Sequence, residues 1–268
     1  MLLQSTAFHP TQPEMISHSS SYIECKPDNA LSSDISLLYE FKINEQLPSL
    51  LPVIPDGCLD LLFCCDPSHP FAVVAVSPRH RCSYHFRTNV SYFGVRLIPD
   101  QTSLQFHCSV KELLQYEQLP LFEIAKVEGS LLEKIASLST FQERVAFFSS
   151  FLLSRQNEKT ETHTLVSYCL NMIYAAKGMI NIRKLAEATG YTDRYVRKKF
   201  EQSIGFSPKS FSQIVRLQYS VQELLSQNIN INSLVERCDF YDKAHFYKDF
   251  EKYMSLTPMQ YKNTYSPK

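Results

Sequence analysis

Two stretches near the carboxyl end of the 268-residue chain combine basic side chains with apolar ones at helical spacing. The basic or ionisable residues are Arg194, Arg197 and Lys198 in the first stretch and Lys243, His245 and Lys248 in the second. In the first stretch Val196 and Phe200, four residues apart, mark the buried face of a helix, so the cations fall on or near the opposite face. There arginine can pair with guanine O6 and N7, and lysine can neutralise phosphate.

The two stretches belong to an internal repeat. The offset between matched residues is 49 up to the central turn and 50 after it, because one residue is inserted in the turn. The matched pairs are Ile182/Ile231, Leu185/Leu234, Ala186/Val235, Gly190/Asp239, Val196/Phe246, Phe200/Phe250, Pro208/Pro258 and Phe211/Tyr261. A single basic helix face is common on solvated helices, but duplication of the whole spacing argues against that explanation for the pair.

Each repeat carries the signals of two helices joined by a turn. Gly190 and Asp239 occupy the turn position where a left-handed backbone is needed, a conformation that Asp tolerates better than most residues. The predicted N-caps of the following helices are Thr192, Ser207, Asp242 and Thr257. Between the repeats, Pro208–Gln227 is predicted as one long helix. These patterns predict two helix-turn-helix units, whose second helices can enter the major groove of DNA.

The amino-terminal half has the pattern of short strands. The predicted strands are Ile35–Ile43, Cys58–Cys64, Phe71–Val76, Cys82–Arg87 and Ser91–Ile98. Proline- and aspartate-containing turns such as Pro55-Asp56-Gly57 separate them. Short strands joined by tight turns indicate a small barrel or sandwich.

Helical signals follow Asp100. Ser109 with Glu112, and Thr140 with Glu143, form two capping boxes. The second box opens an apolar helix, Phe141–Leu153, which packs on the sheet, carries dimer contacts, or does both on different faces. Ser154–Thr164 is polar and is interpreted as a linker or an exposed helix end.

Composition narrows the function classes. The chain has 27 basic and 27 acidic residues, but residues 1–159 carry 12 basic and 17 acidic groups, and residues 160–268 carry 15 and 10. The balances are therefore −5 and +5, which suggests a polyanion-binding module joined to another domain. No apolar run approaches the roughly 20 residues of a membrane helix, and the first ten residues lack a signal-peptide pattern. A cytoplasmic protein without membrane contact is expected.

Cysteine and histidine spacing gives little support to a metal site or an enzyme. The eight cysteines include no C-x-x-C pair, so buried thiols are expected. A metal or thiol sensor remains an alternative through the vicinal pair Cys64-Cys65 and the cluster His80-x-Cys82 with His85. A cupin-like metalloenzyme would need clustered histidines, but His69, His80, His85 and His107 are scattered without an H-x-H. No catalytic residue, metal or cofactor is therefore predicted.

The carboxyl-terminal pattern resembles the AraC/XylS family of transcription regulators. The resemblance rests on INIRKLAEATGYTDRYVRKKFEQSIGFSPKSF, RLQYSVQELL and INSLVERCDFYDKAHFYKDFEKYMSLTPMQY. These stretches are similar to the family's first helix-turn-helix, connecting helix and second helix-turn-helix. Two departures are Asp239 in place of the usual turn glycine and Val235 in place of the usual small alanine.

The resemblance implies specific roles for individual residues. Those expected to bind DNA through the two recognition helices are Thr192, Arg194, Arg197, Lys198, Lys243, Ala244, His245 and Lys248. Those expected to meet phosphates are Lys184, Lys199, Lys209 and Arg216. The two recognition helices would enter successive major-groove segments about 34 Å apart.

The amino-terminal half resembles family members with a cupin-like sensor barrel, through IPDGCLDLLF and FGVRLIPD. Asp60 and Arg96 are charged residues inside apolar strands; an outward-facing position or a satisfied ion pair is favoured over ligand contact. Tyr84 and Phe86 are the other candidate ligand residues, and strand alternation places His85 on the opposite face. The sequence leaves open a barrel that only dimerises or binds a protein partner.

The predicted fold class is therefore α+β, with a cupin-like β-barrel and helices over residues 1–156 and an all-α double helix-turn-helix domain over residues 157–268. The predicted function is a sequence-specific DNA-binding transcription regulator, namely an activator that responds to a small-molecule effector. The expected partners are double-stranded DNA, RNA polymerase and a second copy of the chain.

Overall fold

The computed structural model describes residues 8–45, 49–155, 161–226 and 230–265. Its strands in these ranges are β1 (Ser21–Cys25), β2 (Ile35–Lys42), β3 (Leu50–Val53), β4 (Leu59–Cys64), β5 (Phe71–Val76), β6 (Cys82–His85), β7 (Ser91–Leu97) and β8 (Gln118–Pro120). Six of them form an antiparallel sheet in the order β1-β2-β7-β4-β5-β8, and β3 pairs with β6 in a two-stranded ribbon.

The centre of the large sheet is buried on both faces. β4 and β7 are nearly continuous apolar runs, LDLLFC and SYFGVRL, and their side chains are almost all buried. Their register places Asp60 directly opposite Arg96. The two charged positions of these strands therefore face each other across one ladder.

Twelve helices lie in the described ranges. They are α1 (Pro13–His18), α2 (Val110–Leu113), α3 (Leu121–Ile124), α4 (Ser130–Ser137), α5 (Phe141–Leu153), α6 (Glu161–Ala175), α7 (Ile182–Thr189), α8 (Asp193–Ile204), α9 (Pro208–Leu225), α10 (Ile231–Arg237), α11 (Lys243–Met254) and α12 (Pro258–Tyr265). A short 3₁₀ helix, Asn29–Leu31, precedes β2. Both predicted capping boxes are confirmed, at the start of α2 and of α5.

Helix α5 covers one face of the large sheet. Phe148 lies edge-on to Phe63 and Phe93, with ring centroids 6.0 and 6.3 Å apart, and Phe141 also meets Phe93. Arg144 is buried on the same side and pairs with Glu40 on β2 at 2.6 Å. The packing role predicted for this helix is confirmed, while its dimer role stays a prediction.

The amino-terminal segment connects the sheet to the helical half. Gln12 bonds both backbone groups of Ile54 and the carboxylate of Asp56. Gln218, fully buried on α9, donates to the carbonyl of Pro55 at 2.7 Å and accepts the amide of Thr11 at 2.8 Å. Buried polar groups hold such positions only when they are hydrogen-bonded, so these contacts define how the two halves dock.

The α+β class and the order of a β-rich half before an all-helical half are confirmed. The closed cupin-like barrel is not: among the described strands, β1 and β8 end the large sheet without pairing to each other. The predicted boundary at residues 156 and 157 lies outside the described residues. Helix α9 ends at Leu225, and the extended backbone of its C-cap Ser226 stops it two residues before the predicted end at Gln227.

Three further observations bear on the function classes. None of the described helices is long and apolar enough to span a bilayer. Within the described ranges, no group of three His, Cys, Asp or Glu side chains is placed to hold a metal ion. The eight cysteines, which all lie in those ranges, are free thiols. Burial raises the pKa of Cys65 and of Cys169 to about 11.

Candidate nucleic-acid interface

The first helix-turn-helix unit consists of α7, a turn and α8. Gly190 at the turn has φ +72°, a left-handed conformation that glycine adopts without steric cost. The hydroxyl of Thr192 then accepts the amide of Tyr195 at 3.3 Å and caps α8. Val196 and Phe200 are buried, as their spacing predicts, so the opposite face of α8 is presented outward.

That outward face carries the predicted base-reading cations. Arg194, Arg197 and Lys198 are all exposed. Arg197 lies 3.3 Å from the carboxylate of Asp193, one helical turn earlier, and both side chains are about half exposed. An exposed pair of this type contributes about 0.3–0.5 kcal/mol, so DNA can displace it at little cost.

The second unit repeats this geometry with α10 and α11. Asp239 has φ +53°, the left-handed conformation that the repeat predicts for it. Asp242 caps α11 by accepting the amide of His245 at 2.7 Å. The four predicted contact residues of this helix, Lys243, Ala244, His245 and Lys248, are exposed.

Of the four predicted phosphate contacts, Lys184 and Lys209 are exposed cations. Lys199 is half-buried, with its ammonium 5.7 Å from the ring centre of Tyr195. Arg216 does not suit the predicted role, because its guanidinium pairs with Asp249 at 2.8 Å and lies 4.2 Å over the ring of Phe240. Only 16% of its side chain is exposed, so the structure indicates an internal brace between α9 and the second unit.

Sequence reasoning missed three exposed tyrosines beside the basic residues. Tyr191 and Tyr195 stack with ring centroids 5.0 Å apart at the start of α8. Tyr241 is 92% exposed and directly precedes the N-cap of α11. An exposed aromatic ring next to each recognition helix suits stacking on sugars or contact with thymine methyl groups. The signal was available, because each tyrosine lies within one residue of a predicted N-cap or on the predicted helix.

The four candidate ligand residues of the amino-terminal half line one cavity. Asp60, Tyr84, Phe86 and Arg96 border a space of about 40 Å³ between the large sheet and the two-stranded ribbon. Arg96 is 3% exposed and pairs with Asp60 at 3.0 Å and with Asp56 at 3.3 Å. The favoured interpretation of Asp60 and Arg96 as an ion pair is therefore confirmed. His85 is exposed while Tyr84 faces inward, as alternation predicts.

The ionic cluster in this cavity is strongly desolvated. Burial raises the pKa of Asp56, although Arg96 opposes that shift. Burial also raises the pKa of Tyr39, whose hydroxyl donates to Asp60 at 2.7 Å. The guanidinium keeps its charge, since the two carboxylates raise the pKa of Arg96 against the effect of burial.

A larger cavity of about 370 Å³ lies where the two halves meet. Phe8 and Tyr174 stack along it with ring centroids 4.8 Å apart. Lys26 and His9 stand at its edge as exposed side chains, and burial together with Lys26 lowers the pKa of His9. Its volume falls in the range of small-molecule sites, whereas the 40 Å³ cavity holds little more than water.

Two domain families match the chain. Residues 185–264 match the family described as "Helix-turn-helix domain", and residues 23–117 match the "Domain of unknown function (DUF6597)". The first range runs from within α7 to the last turn of α12, and the second contains most of the large sheet.

Relatives resemble the carboxyl-terminal part. An uncharacterized HTH-type transcriptional regulator of Haemophilus influenzae is 31% identical over 86 residues, which is 32% of this chain and 29% of that protein. The porin thermoregulatory protein EnvY of Escherichia coli is 31% identical over 84 residues, 30% of this chain and 32% of EnvY. The xylose operon regulatory protein of Escherichia coli is 25% identical over 93 residues, 35% of this chain and 24% of that protein. The chain spans less than a third of each relative's length.

Two solved structures to which the chain is similar have TM-scores below 0.5. One is ToxT from Vibrio cholerae, with a TM-score of 0.42 and 10% identity over 92% of this chain and 98% of ToxT. The other is the carboxyl-terminal domain of AraT from Geobacillus stearothermophilus, with a TM-score of 0.38 and 21% identity over 41% of this chain and 92% of that domain.

Proposed function

The chain carries a helix-turn-helix domain of the AraC/XylS family at residues 185–264, and from this premise we propose that it is a sequence-specific DNA-binding transcription regulator. The observation that carries the proposal is the duplicated unit. In each copy a capped second helix buries its apolar face and exposes a face with basic residues. Two such helices joined by one continuous helix, α9, suit successive segments of a major groove on one side of a duplex.

In this proposal some residues contact DNA bases and others contact the DNA backbone. Arg194, Arg197 and Lys198 read bases from α8, and Thr192 approaches the backbone beside them. Lys243, Ala244, His245 and Lys248 do the same from α11. Lys184, Lys199 and Lys209 neutralise phosphates, while Arg216 keeps its internal ion pair.

The amino-terminal half supplies control. We assign residues 1–156 to a sensor and dimerisation domain and residues 157–268 to the DNA-binding domain. The regulator is an activator, and its small-molecule effector occupies the 370 Å³ cavity that both halves line. A ligand there would contact α6 through Ser167 and Tyr174, so it would favour one docking of the two halves.

One observation favours a second version of this control. The cavity that contains Asp60, Tyr84, Phe86 and Arg96 is filled by its own ion pairs, which leaves about 40 Å³. A half of this kind can serve by dimerising or by binding a protein partner, without a small molecule. A thermal-shift screen of the full chain against metabolites separates the versions, since an effector that binds the folded state raises the unfolding temperature.

The remaining assignments follow from the regulator proposal. The chain acts in the cytoplasm as a homodimer, contacts RNA polymerase at its promoters, makes no membrane contact and catalyses no reaction. Selection of bound duplexes from a random DNA library by the full chain tests the proposal. Enrichment of one sequence with two half-sites about a helical turn apart is expected; failure to enrich any sequence at physiological salt would contradict it.

A further inference from the structure

A loop of the amino-terminal half reaches the end of the second recognition helix. This loop, Ser77–Arg81, joins β5 to β6. The backbone amide of Arg81 donates to the carbonyl of Tyr253 at 2.7 Å. Nδ1 of His80 lies 2.7 Å from the carbonyl oxygen of Lys252, and it must donate because a carbonyl only accepts.

These two carbonyls belong to the last turn of α11. The last four carbonyls of a helix have no partner within the helix, and they carry its partial negative charge. The carbonyl of Glu251 accepts the amide of Ser255, just after the helix, at 2.9 Å. The carbonyls of Lys252 and Tyr253 accept from the loop, so the amino-terminal half completes the C-terminal cap of a helix in the other half.

Within the part of the chain that the structure describes, the first unit has no such cap. Helix α8 ends at Ile204, and the amide of its C-cap residue Gly205 donates to the carbonyl of Glu201 at 3.0 Å. No residue in the described ranges donates a hydrogen bond to the carbonyls of Gln202 or Ser203. Among the described residues, the amino-terminal half meets this helix by packing, with Leu114 against Gly205.

The capping loop is itself held firmly. The Arg81 side chain places Nε 2.9 Å from both carboxylate oxygens of Glu14, which is 0% exposed on α1. It also donates to the hydroxyl of Tyr265 on α12 at 3.3 Å. At the other end of the loop, the hydroxyl of Ser77 accepts the amides of Asp56 and Gly57 at 3.0 and 2.8 Å. The loop is thus fixed to three separate elements.

We propose that His80 and the Arg81 amide are positioning residues for the second recognition helix, setting the direction in which it meets DNA. The inference rests on the DNA-binding function proposed above. A 12-residue helix is about 18 Å long, so a tilt of about 10° at its capped end displaces its first turn by about 3 Å. Base-specific hydrogen bonds tolerate about 0.5 Å, so a small change in capping alters readout at that helix alone.

The test compares variants of the full chain at each half-site of the selected duplex. Arg197→Ala and His245→Ala first identify which half-site each unit reads. The test variant is His80→Ala, the rescue is His80→Asn, whose amide can still donate to a carbonyl, and the matched control is His69→Ala on another exposed loop. The quantity measured is the affinity ratio between the selected half-site and a scrambled one.

We expect His80→Ala to lower this ratio by about two- to fivefold at the second unit's half-site, the size of one hydrogen bond to a helix end. The first unit's ratio should stay within about 1.5-fold. His80→Asn should restore most of the loss, and His69→Ala should change neither ratio. Equal losses at both half-sites, or none at either, would overturn the proposal.

Amide hydrogen exchange measures the contact between the loop and α11 in the absence of DNA. In the full chain the Arg81 amide should exchange at least about tenfold more slowly than that of the exposed Arg79, because it is bonded to Tyr253. A chain that selects no DNA but protects Arg81 contradicts the proposed function and leaves the cap standing. Equal exchange at the two amides shows that the loop does not cap α11.

Discussion

The two helix-turn-helix units share one plan but differ at both of its left-handed positions. The first unit has Gly190 and Gly205 there, at φ +72° and +79°. The second has Asp239 and Ser255, at φ +53° and +55°. A non-glycine residue in this conformation costs about 1–2 kcal/mol, with Asp at the low end, so the second unit is locally less stable.

The units also differ in charge and in their attachments. Asp193–Gln202 has four basic and two acidic residues, a balance of +2, whereas Asp242–Lys252 has three of each. The second unit instead gains an external cap from the β5–β6 loop and a brace from Arg216. The first unit therefore has glycines at its left-handed positions and a positive charge balance. The second unit lacks both and is held instead by contacts with the rest of the chain.

The largest expected effect concerns the C-cap residues of the two recognition helices. Gly205→Ala should lower the free energy of unfolding by about 2–4 kcal/mol, because it adds a left-handed Cβ and crowds a packed side chain. That Cβ would lie 2.3 Å from Leu114. Urea unfolding of the full chain measures the change. The matched variant Ser255→Ala should change stability by less than about 1 kcal/mol, and equal losses would show that the C-caps are equivalent.

Arg197→Ala tests readout by the first unit. We expect a loss of about 1–3 kcal/mol in specific binding, since a bidentate base contact is removed, with a much smaller loss on non-specific duplex. Fluorescence anisotropy at fixed salt measures both. Lys134→Ala, on α4 of the other half, serves as control. Wild-type affinity of the Arg197 variant for the selected duplex would remove this residue from the interface.

The difference in charge between the two units should appear in the salt dependence of DNA binding. A cation that reads a base in the groove also lies near the phosphates on either side of it. Neutralising Arg194 and Lys198 together should therefore reduce the slope of log K against log salt by up to about 1.8, the value for two neutralised phosphates at about 0.9 each. Neutralising Lys243 and Lys248 should reduce it by less. Binding measured across a salt series decides the order. A larger reduction from the second pair would mean that packing holds α11 closer to the duplex than its charge suggests.

The smallest expected effect is a gain in the stability of the second unit. Ser255→Gly should raise the free energy of unfolding by about 0.5–1 kcal/mol, because relief of the left-handed conformation exceeds the entropy cost of glycine. Thermal unfolding of the full chain detects the change. A destabilised variant would mean that the serine side chain stabilises the turn.

Local signals explain which parts of the fold were predictable. The capping boxes of α2 and α5 and the N-caps at Thr192 and Asp242 depend on residues three positions apart, and the structure confirms all of them. Strands β1, β3 and β8 and helix α1 were not predicted. β3 and β8 pair with strands that are distant in sequence, β6 and β5. β1 pairs with the next strand, β2, but it is largely exposed and so lacks the apolar run of a buried strand. The left-handed Ser255 was within reach, since the 50-residue offset aligns it with Gly205.

In the candidate sites too, features set by nearby residues were predictable and contacts between distant residues were not. Exposure of Arg194, Arg197 and Lys198 could be predicted because Val196 and Phe200 fix the buried face. The role of Arg216 could not, because its carboxylate partner lies on α11, 33 residues away. Nor could strand patterns show that the Arg96 ion pairs fill the smaller cavity, since that depends on how closely the sheet and ribbon approach.

The hydrogen bond between Thr11 and Gln218 has a consequence for synthesis of the chain. The two residues are 207 positions apart. At about 5–20 residues per second, a ribosome makes Gln218 roughly 10–40 s after Thr11. Throughout that interval the amide of Thr11 lacks this partner, although the partners of Gln12 and Glu14, Asp56 and Arg81, are made much earlier. The contact between the amino-terminal segment and α9 can therefore form only after Gln218 has been made.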